Sequence, residues 1–93
     1  MLTGIAVIEL HVHDSHSLKA KRGVVRSLAG RLRNRFNVSV AETDHKESWQ
    51  RAELGCCVVA TDRRLAESVL SAADRLIEAD DSARVVDSST SFL

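Results

Sequence analysis

Apolar and polar positions change period several times along this chain, and each change marks an element. Residues 2–12 (LTGIAVIELHV) are rich in aliphatic and β-branched side chains. They place Leu2, Ala6, Ile8, Leu10 and Val12 on one face, which predicts a strand. HDSHS follows as a turn, with Ser17 as a helix N-cap. Over residues 18–36 the spacing becomes helical, with Leu18, Val25, Leu28, Ala29, Leu32 and Phe36 in one stripe and Asn37 as the exit residue. Residues 38–44 (VSVAETD) alternate again as a strand, and HKESWQ reads as a polar hairpin connection. Residues 51–60 (RAELGCCVVA) form a third strand with Leu54, Cys56, Val58 and Ala60 on one face. Thr61 or Asp62 caps a second helix over 63–79, whose stripe is Leu65, Val69, Ala72, Ala73, Leu76 and Ile77. Its surface carries Arg63 and Glu67, and the like-charged Asp74 and Glu78, at i,i+4. Residues 84–92 supply a fourth strand.

The order βαββαβ predicts an α+β, ferredoxin-like domain over residues 1–93: a four-stranded antiparallel sheet with two helices on one face. The other sheet face is left open. It carries either Ile5 and Val7 with Cys57 and Val59, or their alternates, and such an aliphatic face suits pairing with a second copy as a homodimer. A chain of 93 residues makes one small domain, which buries roughly 60–65% of its unfolded surface. No stretch approaches the ~18 consecutive apolar residues of a membrane span, so no membrane association is expected. A signal peptide is not expected either, because the N-terminus lacks a basic region and a small-residue cleavage site. The adjacent Cys56 and Cys57 point to opposite faces of a strand, so a bond between them would be strained. Reduced thiols acting as small hydrophobes, in a cytoplasmic protein, follow.

Charge changes this picture most. The chain has 13 basic and 13 acidic residues and is formally neutral. Yet Lys19, Lys21, Arg22, Arg26, Arg31, Arg33 and Arg35 all lie on the first helix, and no Asp or Glu falls between Asp14 and Glu42. Helical repeat places Lys19, Arg22, Arg26 and Arg33 within about 60° of one another on one flank. Arg31 and Arg35 fall on the opposite flank, with Gly23, Ser27, Gly30 and Asn34 between them. Lys21 lies close to the buried stripe and is expected to snorkel at the helix start. Like charges at i,i+4 repel. This unrelieved positive helix therefore favours a polyanion partner over an acidic protein partner, self-association or simple solvation.

Other residues offer chemistry of lower specificity. His11, His13 and His16 beside Asp14 make weak metal-ligand candidates, set against the plainer reading of a polar strand end. Trp49 either closes the hairpin against the sheet edge or serves as a docking residue beside Lys46 and Arg51. Glu42 either pairs with an arginine of the basic helix or stands alone, and one carboxylate is thin support for acid–base catalysis. No phosphate-binding loop, dinucleotide fingerprint, nucleophile elbow or CxxC occurs, so no cofactor is expected and enzymatic activity is disfavoured. RNA-reading domains of this topology stack bases on aromatics of the central strands. Here there is no tyrosine, and Phe36 and Phe92 fall elsewhere.

The segments SLKAKRGVVR (17–26), LRNRFNVSVAE and SWQRAELG resemble the YlxP-like family of small bacterial proteins. The family's SLKxKR signature falls on Ser17, Leu18, Lys19, Lys21 and Arg22, its NVSVAE on Asn37 to Glu42, and its WQ on Trp49 and Gln50. Ala20 stands where the family often has an acid, and Gly23 where a further base is common. The histidine cluster is not a family motif, and cysteine-free third strands occur in the family. The resemblance implies a ferredoxin-like fold, a cytoplasmic location and no established activity. A gene neighbourhood of translation initiation and ribosome maturation implies an RNA or ribosome context.

The leading expectation is thus a non-enzymatic protein bound to RNA or the ribosome. In it Lys19, Lys21, Arg22, Arg26 and Arg33 contact phosphates, and Arg31 and Arg35 assist. The alternatives are a protein–protein module whose basic helix docks an acidic partner, and a small metal-dependent enzyme built on the histidines.

Overall fold

The computed structural model describes residues 1–93 and contains β1 (Leu2–Val12), α1 (Leu18–Arg35), β2 (Val38–Asp44), β3 (Arg51–Ala60), α2 (Arg63–Glu78) and β4 (Ala83–Phe92). All pairings are antiparallel, in the order β2-β3-β1-β4. Both helices lie on one side. Ser17 caps α1 by accepting from the Ala20 N–H at 3.0 Å, and Asp62 caps α2 by accepting from the Leu65 N–H at 2.9 Å. No helix is long and apolar enough to cross a membrane.

The core lies between the helices and the sheet. Ala6, Ile8, Leu10 and Val12 from β1 meet Leu54, Cys56 and Val58 from β3 and the buried residues of both helices. On the opposite face Ile5, Val7, Cys57 and Val59 share a patch, Val7 being 36% and Val59 56% exposed, which settles the choice between the two sets of strand residues.

Two stripes differ from the periodicity reading. In α2 the fully buried residues are Ala66, Leu70, Ala73 and Ile77, whereas Leu65 is 48% exposed. The cause is a close approach to β1 at Gly4. A Cβ there would sit 3.1 Å from Leu70 Cδ1 and 3.2 Å from the Ala66 Cβ, so the small and branched positions turn inward.

In α1 the buried stripe runs Lys21, Val25, Leu28, Ala29 and Leu32, and Leu18 and Phe36 are only half-buried. Lys21 does not snorkel. Its side chain is wholly buried, and Nζ donates to Glu42 Oε2 at 2.8 Å and to the backbone carbonyls of His45 (2.8 Å), Arg51 (3.2 Å) and Lys46 (3.4 Å). Lys21 therefore cannot contact a phosphate, and Glu42 pairs with it rather than with an arginine. These acceptors lie at both ends of the β2–β3 connection, so one ammonium clasps that hairpin to α1.

The clasp gives a direct prediction. Replacing Lys21 by methionine keeps most of the volume but leaves a carboxylate and carbonyls without their cation. Urea unfolding is expected to show a loss of about 3 kcal/mol or more. Glu42→Gln, which still presents an acceptor oxygen, should cost about 1–2 kcal/mol. A second prediction concerns the thiols. Burial, aided by Cys57 and Asp74, pushes Cys56 up to about 11, whereas Cys57 is only half-buried on the open face. A thiol reagent such as dithionitrobenzoate should label Cys57 readily in the native protein and Cys56 only on unfolding.

Candidate nucleic-acid interface

The positive helix divides its cations among several surroundings. Arg22, Arg26 and Arg33 line a groove of about 470 Å³ between α1 and β2, floored by Val25, Ala29 and Ala41. Lys46 closes one end of it from the hairpin, and Glu42 and Glu47 complete the wall. Arg22 and Arg26 make no protein hydrogen bond or ion pair, whereas Arg33 Nη2 donates to the Val40 carbonyl of the edge strand at 2.7 Å. That bond satisfies one outward carbonyl of β2, a sheet edge otherwise open to solvent.

The remaining cations face elsewhere. Lys19 is not part of that ladder: it lines a separate hollow with Ser17, Gly23, Ser27, Asp80 and Ser82. It stands at the outer edge of its flank, where Asp80 and Ser82 after α2 border it. Arg31 pairs with Asp80, Nη1 to Oδ2 at 2.5 Å. Arg31 and Arg35 also border the cleft between the helices, together with Phe36, Leu76 and Arg75. Arg75 is not among the expected contacts to a polyanion, and Lys46 is expected only as a docking neighbour of Trp49. Their placement depends on the packing of α2 and the clasp of the hairpin, which no local pattern carries.

The suggested docking trio of Trp49, Lys46 and Arg51 does not form one surface. Lys46 faces the groove, Trp49 stays 54% exposed on the connection, and Arg51 lies on the open sheet face. There the Arg51 Nη2 is 3.9 Å from Glu9 Oε2 and 3.3 Å from His45 Nε2. The histidine trio is not assembled either. His11 and His13 meet edge to face at 5.1 Å between ring centroids, but His16 does not join them in a three-donor cluster. The histidine that does meet other donors is His45, 3.0 Å through Nε2 from Glu9 Oε2 and clustered with Glu53.

Residues 3–90 match the family described as "Protein of unknown function (DUF503)". The uncharacterised protein YlxP of Bacillus subtilis (strain 168) is 36% identical over 69 residues, which cover 74% of this chain and 75% of YlxP. Among solved structures, a de novo designed protein with a ferredoxin fold, determined by solution NMR, matches all of this chain and 84% of its own, with a TM-score of 0.59 and 15% identity. That likeness concerns the fold alone, and it agrees with the topology expected from the element order.

Asp80 provides a test of which arginines are structural. Its carboxyl is held below the usual carboxylate range, first by the Ser82 hydroxyl and backbone N–H and then by Arg31, against the opposing effect of burial. A depressed folded-state pKa gives stability that is present above the ordinary aspartate range and is lost as pH falls through the lowered value. Asp80→Asn should therefore destabilise by about 1 kcal/mol at neutral pH. The gap between the wild type and the variant should begin to narrow as pH falls below the ordinary value of ~3.9 and should close only once pH has passed through the lowered folded-state value.

Proposed function

The chain belongs to the DUF503 family, and because that family's description assigns no activity, we propose a function from the surface itself: a non-enzymatic RNA-associated protein that holds phosphates in the groove between α1 and β2. The observation that carries this reading is the convergence of Arg22, Arg26, Arg33 and Lys46 on one solvent-open groove. Two of these arginines spend no charge on the protein's own carboxylates or carbonyls. The groove runs along a helix, so successive guanidinium groups follow a line that a phosphodiester chain can track. Glu42 is neutralised from behind by Lys21 at 2.8 Å, which leaves Glu47 as the wall's other carboxylate.

Contacts of this kind position a protein without reading sequence. The central strands β1 and β3 carry no phenylalanine, tyrosine or tryptophan, so the platform on which sheet-reading RNA domains stack bases is missing. The reading therefore favours modest sequence selectivity and a strong dependence on salt.

The test is binding of structured and single-stranded RNA at several salt concentrations, with Arg22→Ala/Arg26→Ala and Lys46→Ala beside the wild type. Each lost phosphate contact should lower the slope of log K against log salt by roughly 0.7–0.9. The exposed positions predict unchanged melting temperatures. Binding that ignores salt, or that is equal in the variants, would sink the proposal.

A further inference from the structure

We propose that Glu9, Glu53 and His45 form a binding site for one divalent metal ion of the zinc class on the open face of the sheet. Their ligand atoms all lie within 4.8 Å of one another, on the face opposite the helices. An imidazole nitrogen with two carboxylate oxygens is a donor set that zinc accepts, with bonds of about 2.0–2.2 Å. On a tetrahedral ion such bonds set ligand atoms roughly 3.3 Å apart. His45 Nε2 and Glu9 Oε2, at 3.0 Å, already stand close to that separation. Small side-chain rotations would bring in the third donor.

The three residues come together through sheet register and the clasp. Glu9 and Glu53 are directly opposed on β1 and β3. Opposed like charges destabilise a sheet unless something bridges them. The β2–β3 pairing shifts register between Glu42 and Asp44, and His45 then adopts φ 62°, the left-handed region. That turn sends the imidazole over the sheet toward Glu9. The Lys21 ammonium holds it there by its 2.8 Å bond to the His45 carbonyl.

Supporting contacts fix the donors. The Thr43 hydroxyl donates to Glu53 Oε1 at 2.6 Å, which orients that carboxylate. Asp44 Oδ1 accepts the His45 backbone N–H at 2.7 Å, which holds the residue that carries the imidazole. Arg51 is the competing cation, 3.3 Å from His45 Nε2, but it is 63% exposed and can swing into solvent. Metal entry would replace the His45–Glu9 contact, and because metal ligands bind deprotonated, affinity should fall as pH is lowered. Three protein donors leave a further coordination position open to solvent.

The experiment is calorimetric titration of zinc chloride into the chelator-treated, tag-free chain. Cobalt(II) absorption spectra would report the ligand type. One ion per chain is expected, with cobalt bands that lack sulfur charge transfer. His45→Ala should weaken binding by at least tenfold, on the order of the loss seen when metal-site residues are removed. Glu53→Gln should also weaken it, and Arg51→Ala should tighten it. Circular dichroism melts in the absence of metal keep a folding defect distinct from a lost ligand. Three results would overturn the proposal: substoichiometric binding, equal binding by folded His45→Ala, or binding lost instead in Cys57→Ser or His11→Ala/His13→Ala.

Discussion

A buried ammonium must be surrounded by acceptors, and meeting that need at Lys21 sets the geometry of one whole end of this protein. Desolvating a lysine costs several kcal/mol unless carboxylates and carbonyls replace its water. Here the replacements are Glu42 and the carbonyls of His45, Lys46 and Arg51, which come from the end of β2, the connection and the start of β3. The polar hairpin has no apolar anchor of its own. Its position follows from the ammonium, and so do the directions taken by consecutive side chains. Lys46 goes to the α1 groove on one side of the sheet, and His45 to the glutamates on the other.

The same reasoning separates charge from binding surface. Of the seven cations on α1, Lys21 is consumed in the core, Arg33 by an edge-strand carbonyl and Arg31 by Asp80. A count of positive residues overstates the surface available to a polyanion, because helical cations next to a sheet edge are natural partners for unsatisfied carbonyls. What remains without a protein partner is narrower and better defined. Arg22 and Arg26 point into one groove, Lys19 lies beside the turn after α2, and Arg35 lies near the α1–α2 cleft.

Strand and helix positions were legible from period alone, and β1, β2 and β3 begin and end where alternation does. Ser17 was legible as the first N-cap, whereas the second lay between Thr61 and Asp62, of which the helix uses Asp62. The helix faces were less so. The α1 stripe extends by helical spacing from Val25 back to Lys21, but charge argued against placing a lysine there, and Leu18 stood in its stead. In α2, Leu65 looked like core until the close approach at Gly4 turned Ala66 and Leu70 inward. The groove was half readable: its arginines share a helix flank, whereas Lys46 joins them only through the hairpin. The opposed Glu9 and Glu53 could be found only from register, which sequence leaves open where a sheet face is free. His45 lies outside the strands, and no periodic pattern reaches it.

The hairpin connection thus serves two faces through one anchor, and this decides how substitutions there should be interpreted. A change at Arg22 or Arg26 removes a side chain that holds nothing else in place, so its effect belongs to the groove. A change at Lys21 frees the backbone that carries both His45 and Lys46, so it disturbs the groove and the carboxylate cluster together without touching any ligand. An effect of Lys21 on binding at either face is consequently an effect of position. The left-handed backbone at His45 reinforces the point, since a non-glycine residue holds φ 62° only while its surroundings compel it. The bond from the ammonium to that residue's own carbonyl is the contact best placed to do so.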